Sequence, residues 1–122
     1  MANYEELIVW QKAMTLTEEI YRIVKFLPKE ELFGLSDQMR RAAVSIPSNI
    51  AEGHGRDTNG DFRRFLLIAR GFLMELETQL EVCRRLHYIP EKELEASCSL
   101  CSEIEKILWT MINKPSSRIK QL

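Results

Sequence analysis

Arginine dominates the cations in the middle of the chain. Arg40, Arg41, Arg56, Arg63, Arg64, Arg70, Arg84 and Arg85 are the only cations between positions 40 and 85, against six acids. A guanidinium offers a planar, two-pronged donor set that matches phosphate and carboxylate oxygens. The adjacent pairs Arg40-Arg41, Arg63-Arg64 and Arg84-Arg85 must each splay across about 100° of a helix surface. Two accounts stay open for them. One is a solvated face with local ion pairs, such as Asp37 with Arg41 and Glu81 with Arg85 at i, i+4 spacing. The other is phosphate binding by Arg40, Arg41, Arg56, Arg63, Arg64 and Arg70, a modest patch that oligomerisation would repeat. The aromatic interleaving that would mark a single-strand stacking platform is missing, so RNA or DNA contact would be backbone-directed, weak and poorly selective for sequence.

The remaining reactive constellations fail on geometry or spacing. Cys98-x-x-Cys101 with Cys83 and His87 has the ligand inventory of a zinc site. In a helical hairpin turning at Ile89, however, His87 and Cys101 stand ~15 Å apart along the axis. They cannot share one metal, and Cys83 and Cys98 read instead as small core thiols. The two histidines include no Glu-x-x-His, which excludes the usual carboxylate-bridged di-iron site of some helical bundles. Ser45 and Ser48 flank a proline rather than sit in a nucleophile elbow, and the five glycines match no phosphate-cradling loop. Glu52-Gly53-His54 could hold an acid–base pair, set against the plainer reading of a helix end with a solvent-facing imidazole. No catalytic residue, cofactor or metal is expected.

The elements that must carry these side chains are helices. Apolar residues recur at three-and-four spacing in four segments, and no alternating strand pattern is bounded by turn signals. The expected inward face of the first helix is Leu7, Trp10, Met14, Thr17, Tyr21 and Val24, with Pro28 closing it. The second presents Leu35, Met39, Ala42, Ala43, Ile46 and Ile50, ends at Gly53 and Gly55, and is expected to kink at Pro47. Thr58 and Asp61 have capping-box spacing and start the third and longest helix, carrying Phe62, Phe65, Leu66, Ala69, Phe72, Leu73, Leu76, Leu80 and Cys83 to an end near His87. Pro90 opens the fourth, which turns Leu94, Cys101, Ile104, Leu108 and Met111 inward until Pro115. Short connections between four helices predict an all-α, antiparallel up-down-up-down four-helix bundle. Residues 1–122 are expected to form one domain, with an ordered core over about 5–114 and a tail over 115–122.

A bundle helix needs one apolar stripe, but the third has more. Roughly opposite its core face lie Leu67, Ile68, Gly71 and Val82, with Met74 on the flank, and Trp109 projects away from the core stripe of the fourth helix. A monomer exposing this surface would be liable to aggregate, so these six residues are candidates for a homo-oligomer interface.

The chain of 122 residues, 45% hydrophobic and 29% charged, suffices for one core. Its longest stretch without Asp, Glu, Lys or Arg is Ala42 to Ala51, far short of the ~20 apolar residues of a membrane helix. MANYEELIVW shows neither a basic leader nor a small-residue cleavage site, and three cysteines are an odd count, so no secretory signal, reduced thiols and a cytoplasmic location are expected. A net charge of −1 argues against gripping nucleic acid by net charge alone.

The run Gln38-Met-Arg-Arg-Ala-Ala-Val-Ser-Ile-Pro-Ser-Asn-Ile-Ala-Glu-Gly53 resembles the bacterial 23S rRNA intervening-sequence proteins. Leu7-Ile-Val-Trp-Gln11 and Phe62 to Leu80, with Ala69-Arg70-Gly71 and Glu75-Leu76, extend the resemblance over most of the chain. The resemblance implies a four-helix bundle assembled as a pentameric ring. Related accessory proteins of diversity-generating retroelements associate with reverse transcriptase and nucleic acid, so a protein partner of that kind, and Arg40, Arg41, Arg56, Arg63, Arg64 and Arg70 as nucleic-acid contacts, are implied by analogy. A protein-interaction scaffold whose arginines are structural is the alternative.

Overall fold

The computed structural model describes residues 3–114. Within them, α1 spans Ile8–Ile23, α2 Leu35–His54, α3 Asn59–Arg85 and α4 Glu91–Ile112, with short 3-10 turns at Tyr4–Glu6, Val24–Phe26 and Lys29–Glu31. No strand occurs among the described residues. The expected stop at Pro115 and the 115–122 tail lie outside them.

Each helix packs on two neighbours: α2 joins α1 to α3, and α4 closes the bundle between α3 and α1. The side-chain pairs across these seams run in opposite senses. Lys12 and Arg22 of α1 meet Glu103 and Glu93 of α4, while Arg63, Arg70 and Arg84 of α3 meet Ile112, Glu105 and Cys98. Met39 near the start of α2 touches Cys83 near the end of α3, with the sulfurs 3.7 Å apart.

The helix ends follow local chemistry. Thr58 caps α3 by accepting the Asp61 N–H at 3.1 Å, whereas the Asp61 carboxylate turns to Arg64 rather than back to the cap. At the other end, Tyr88 N–H reaches the Cys83 carbonyl and His87 N–H the Arg84 carbonyl, the Schellman pattern. His87 takes the left-handed conformation (φ 57°) that glycine ordinarily supplies there.

The core faces of α2, α3 and α4 are those the periodicity predicts: Met39, Ala42, Ala43, Ile46 and Ile50, then Phe62, Phe65, Leu66, Ala69, Leu73, Leu76, Leu80 and Cys83, then Leu94, Cys101, Ile104, Leu108 and Met111 are all buried. Leu35 and Phe72 are half-buried at its edge.

The expected face of α1 holds at its ends, where Leu7 and Val24 are buried, and requires correction between them. Val9, Ala13, Leu16, Ile20 and Ile23 point inward, while Met14 and Tyr21 are exposed and Trp10 and Thr17 half-buried. Two stripes compete on this helix, about one residue apart around its circumference. The inner one is wholly aliphatic and leaves no polar atom to satisfy, and burying each of its large side chains contributes roughly 1.5–3 kcal/mol. The outer one carries an indole N–H, a phenol and a hydroxyl that would each need a partner inside.

Candidate interaction surfaces

The six arginines do not converge on one patch. Arg56, Arg63 and Arg64 gather at the end of the bundle where α2 leads into α3 and α4 finishes. Arg56 donates to Glu52 at 2.7 Å and Arg64 to Asp61 at 3.3 Å, and both guanidiniums lie over the Phe65 ring, at 4.7 and 4.5 Å from its centre. Arg63 Nε donates at 2.8 Å to the Ile112 carbonyl, one of the last acceptors of α4 that has no partner within its own helix. Arg40 and Arg41 stand fifteen or more positions back along α2 from Arg56, or about 22 Å. They share Asp37, at 3.9 and 3.0 Å.

Arg70 has a different setting. Its Nε and Nη2 form a two-pronged pair with Glu105 at 2.8 and 2.7 Å, and the guanidinium lies 5.4 Å from the Trp109 ring centre. The hydrogen bonds to Glu105, and then its charge, raise the Arg70 pKa further. Beside it, Glu77 is pushed up from the ordinary carboxylate range, first by loss of water and then by Glu105.

The surplus apolar residues of α3 stand in solvent. Leu67, Ile68 and Val82 are exposed, as is Gly71, and Met74 is half-buried on the flank. Leu67, Gly71, Met74, Thr78 and Val82 recur at four-and-three spacing and form one ridge along the outside of α3. A Cβ at Gly71 would meet no atom within 4 Å. Trp109 on α4 is 56% exposed, with Arg70 packed on it.

The side chains of the constellations set aside have contacts of their own. Glu52 is held by Arg56, and the His54 ring, half-buried rather than solvent-facing, packs edge-on to Phe62 with centroids 5.5 Å apart. Cys83 faces Met39 of α2. Cys98 is not a core thiol; it is half-buried with Sγ 3.5 Å from Arg84. Burial pushes the thiol of Cys83 up to about 11 and that of Cys101 up to about 12. Among the described residues, no group of three or more His, Cys, Asp or Glu side chains could hold a metal ion, and no helix is long and apolar enough to cross a membrane.

Residues 5–110 match the family described as 23S rRNA-intervening sequence protein, over a span that takes in all four helix cores. The chain belongs to this family. A solved relative of the intervening-sequence protein is a protein of unknown function from the S23 ribosomal protein family of Bacteroides thetaiotaomicron. The two superpose with a TM-score of 0.81 at 30% identity, covering 88% of the present chain and all of the relative. No curated protein matches it.

Three features of this intervening-sequence protein escape a reading of spacing alone. The Arg63 bond to Ile112 joins positions 49 apart, and the Arg70 bond to Glu105 joins positions 35 apart. A groove between α1 and α2, lined by Tyr4, Trp10, Met14, Val44, Pro47 and Ala51, opens where the periodicity had placed core. The signal for that groove was present in the equal periodicity of Val9, Ala13, Leu16, Ile20 and Ile23.

Proposed function

We propose that this protein acts without catalysis, as a homo-oligomeric bundle whose copies join through the ridge on α3, and that the assembly holds RNA or DNA weakly by its phosphates. One observation carries the first part. The ridge from Leu67 to Val82 is apolar but for Thr78, exposed but for half-buried Met74, and open at Gly71, on a helix whose opposite face already fills the core. The resemblance to the intervening-sequence proteins supports five copies in a ring, and a cytoplasmic location fits a chain of this composition.

The arginine surface supports the second part in a restricted form. Arg41 has 79% of its side chain exposed, and its pair with Asp37, like those of Arg56 and Arg64, is a surface ion pair worth only ~0–1 kcal/mol. Such pairs exchange a carboxylate for a phosphate at little cost. Arg70 is committed to Glu105 and Trp109, and Arg63 to the end of α4, so neither gives up its partner so readily. Similarity to a protein of the S23 ribosomal protein family favours RNA over DNA.

Fluorescence anisotropy of labelled structured RNA and duplex DNA, titrated across a salt series with oligomer mass followed in the same buffer, tests both parts. Saturable binding that falls steeply with salt, with a shallower slope for Arg41→Ala plus Arg64→Ala, supports the phosphate reading. Flat titrations by an intact oligomer at low salt overturn it and favour a scaffold that docks a protein such as a reverse transcriptase. A monomeric wild type overturns the oligomer reading.

A further inference from the structure

We infer that the hollow between the α1–α2 connector and the first turns of α2 is a binding site for a nucleoside monophosphate, free or as the phosphorylated end of an RNA strand. The inference needs neither self-association nor the contacts proposed for Arg41 and Arg64, which would meet phosphodiesters along a strand. The hollow has a volume of about 270 Å³. Lys25, Lys29, Arg40 and Ser36 line it, over an apolar wall that includes Leu27 and Leu32.

Three cations face this hollow and no carboxylate lines it. Lys25 and Lys29 make no ion pair among the described residues. Arg40 Nη2 lies 3.4 Å from the Leu32 carbonyl and 3.9 Å from Asp37, which leaves Nε and Nη1 without a partner among those residues. The acids of this end of the bundle have other partners. Glu31 accepts from the Leu35 N–H at 3.1 Å and from the Tyr88 hydroxyl at 3.2 Å. Glu30 acts on the same phenol, whose pKa is raised by loss of water and then by Glu31 and Glu30. Asp37 is drawn closer to Arg41, at 3.0 Å, and Glu19 and Glu93 are both held by Arg22 at 2.8 Å. Glu18 stands two helical turns, or about 10 Å, before Lys25.

Ser36 points to an anion. It is only 3% exposed, yet its hydroxyl has no partner among the described residues. The hydroxyls of Ser45, Ser48, Thr78 and Thr110 return to the carbonyl four residues back. For Ser36 that acceptor is the Leu32 carbonyl, which takes Arg40 instead. A hydroxyl withdrawn from bulk water in this way favours a ligand oxygen as its partner. Ser36 and Arg40 are one turn apart on one face of α2, so both reach the same group. Two ammonium groups, a guanidinium fork and a hydroxyl suit the multiply charged head of a phosphomonoester better than a single carboxylate.

Phe33 supplies the rest. The carbonyl that Arg40 touches belongs to the peptide leading into Phe33, so this residue starts at the rim of the hollow. Its side chain is 91% exposed, more than any other large apolar side chain among the described residues. An exposed ring beside cations stacks a base while its phosphate is held.

Isothermal titration calorimetry of the full chain with adenosine monophosphate, adenosine and inorganic phosphate tests the site. The monophosphate is expected to bind saturably, and the other two more weakly, since each carries half of the ligand. Lys25→Ala plus Lys29→Ala is expected to weaken the monophosphate by about tenfold or more. Ser36→Ala is expected to weaken it as well, and Phe33→Ala to weaken it more than inorganic phosphate. Lys92→Ala, which removes an exposed lysine outside the hollow, is expected to bind as the wild type. Absence of saturable binding overturns the inference. So does a Lys25→Ala plus Lys29→Ala variant that binds like the wild type, or a Lys92→Ala variant that loses as much. Lys25, Lys29 and Phe33 are exposed, so these variants carry the test if Ser36→Ala does not fold. An RNA oligomer with and without a terminal 5′-phosphate then separates the two sources. Preference for the phosphorylated end assigns the site to strand ends, and monophosphate binding without that preference assigns it to free nucleotides.

Discussion

The Thr17 hydroxyl of α1 lies 3.2 Å from the Ala43 carbonyl oxygen of α2. That carbonyl is the one left without a helical donor by Pro47, which has no N–H to return four residues along. The hydroxyl is also 2.9 Å from the Ala13 carbonyl, so its single hydrogen is shared between an acceptor in its own helix and one in the next. A neighbouring helix thereby supplies part of what the proline removes, and α2 runs on to His54.

Thr17→Val should therefore cost about 1–2 kcal/mol of stability, because it leaves the carbonyl of buried Ala43 unpaired. The cost should shrink when Pro47→Ala restores a backbone donor. Urea unfolding of both single variants and the double variant gives the coupling; equal costs in the two backgrounds would show that the Thr17 hydroxyl serves Ala13 alone.

Gly53 and Gly71 should respond to alanine in opposite directions. A Cβ at Gly53 would sit 2.5 Å from Phe65 Cβ and 3.1 Å from Phe62 Cδ1, where α2 crosses α3. Gly53→Ala should destabilise by about 1–3 kcal/mol through that overlap. Gly71 faces open space within its own chain, so Gly71→Ala should gain up to about 1 kcal/mol of helix propensity. Thermal unfolding at a concentration where the chain is monomeric separates the two. Gly71→Leu should keep helix content and lower the assembly mass.

His87→Gly should stabilise the chain by about 0.5 kcal/mol. It relieves the left-handed strain of a side chain at the end of α3, less the greater freedom that glycine has when unfolded. The urea midpoint should rise with an unchanged slope, and a fall would show that the imidazole makes a contact worth more than the strain.

The three thiols should separate in reactivity. Cys83 and Cys101 are buried, and their raised pKa values keep them protonated until the pH approaches about 11 and 12, respectively. At mildly alkaline pH, a thiol-reactive dye should label Cys98 first, with the other two labelled only as the chain unfolds. Mass mapping of the modified peptides reads the order, and early labelling of Cys101 would contradict its burial.

Much of the architecture was legible because it is written locally. Thr58 and Asp61, the proline at position 90 and the apolar periods of α2, α3 and α4 act within a few residues of themselves, and the structure keeps them, the capping box in its Thr58 half alone. The candidate surfaces were legible in part. The ridge from Leu67 to Val82 is a surplus of apolar residues over what a bundle helix can bury, a quantity that needs no coordinates. The partners of the arginines were legible only at short range, as for Asp37 with Arg41 and Glu81 with Arg85.

From composition and period alone come four helices, the inward faces of three of them, and an apolar stripe too many on α3. These are properties of a helix's own turn and of the solvent it must avoid. Packing settled the rest: which of two competing stripes of α1 turns inward, that Arg63 ends on the last turn of α4, that Arg70 is held by Glu105, and that Thr17 reaches the carbonyl beneath Pro47. Each of these joins elements at a particular height and rotation. That relation exists only once the helices have met, because no periodicity within one helix encodes its register against the next.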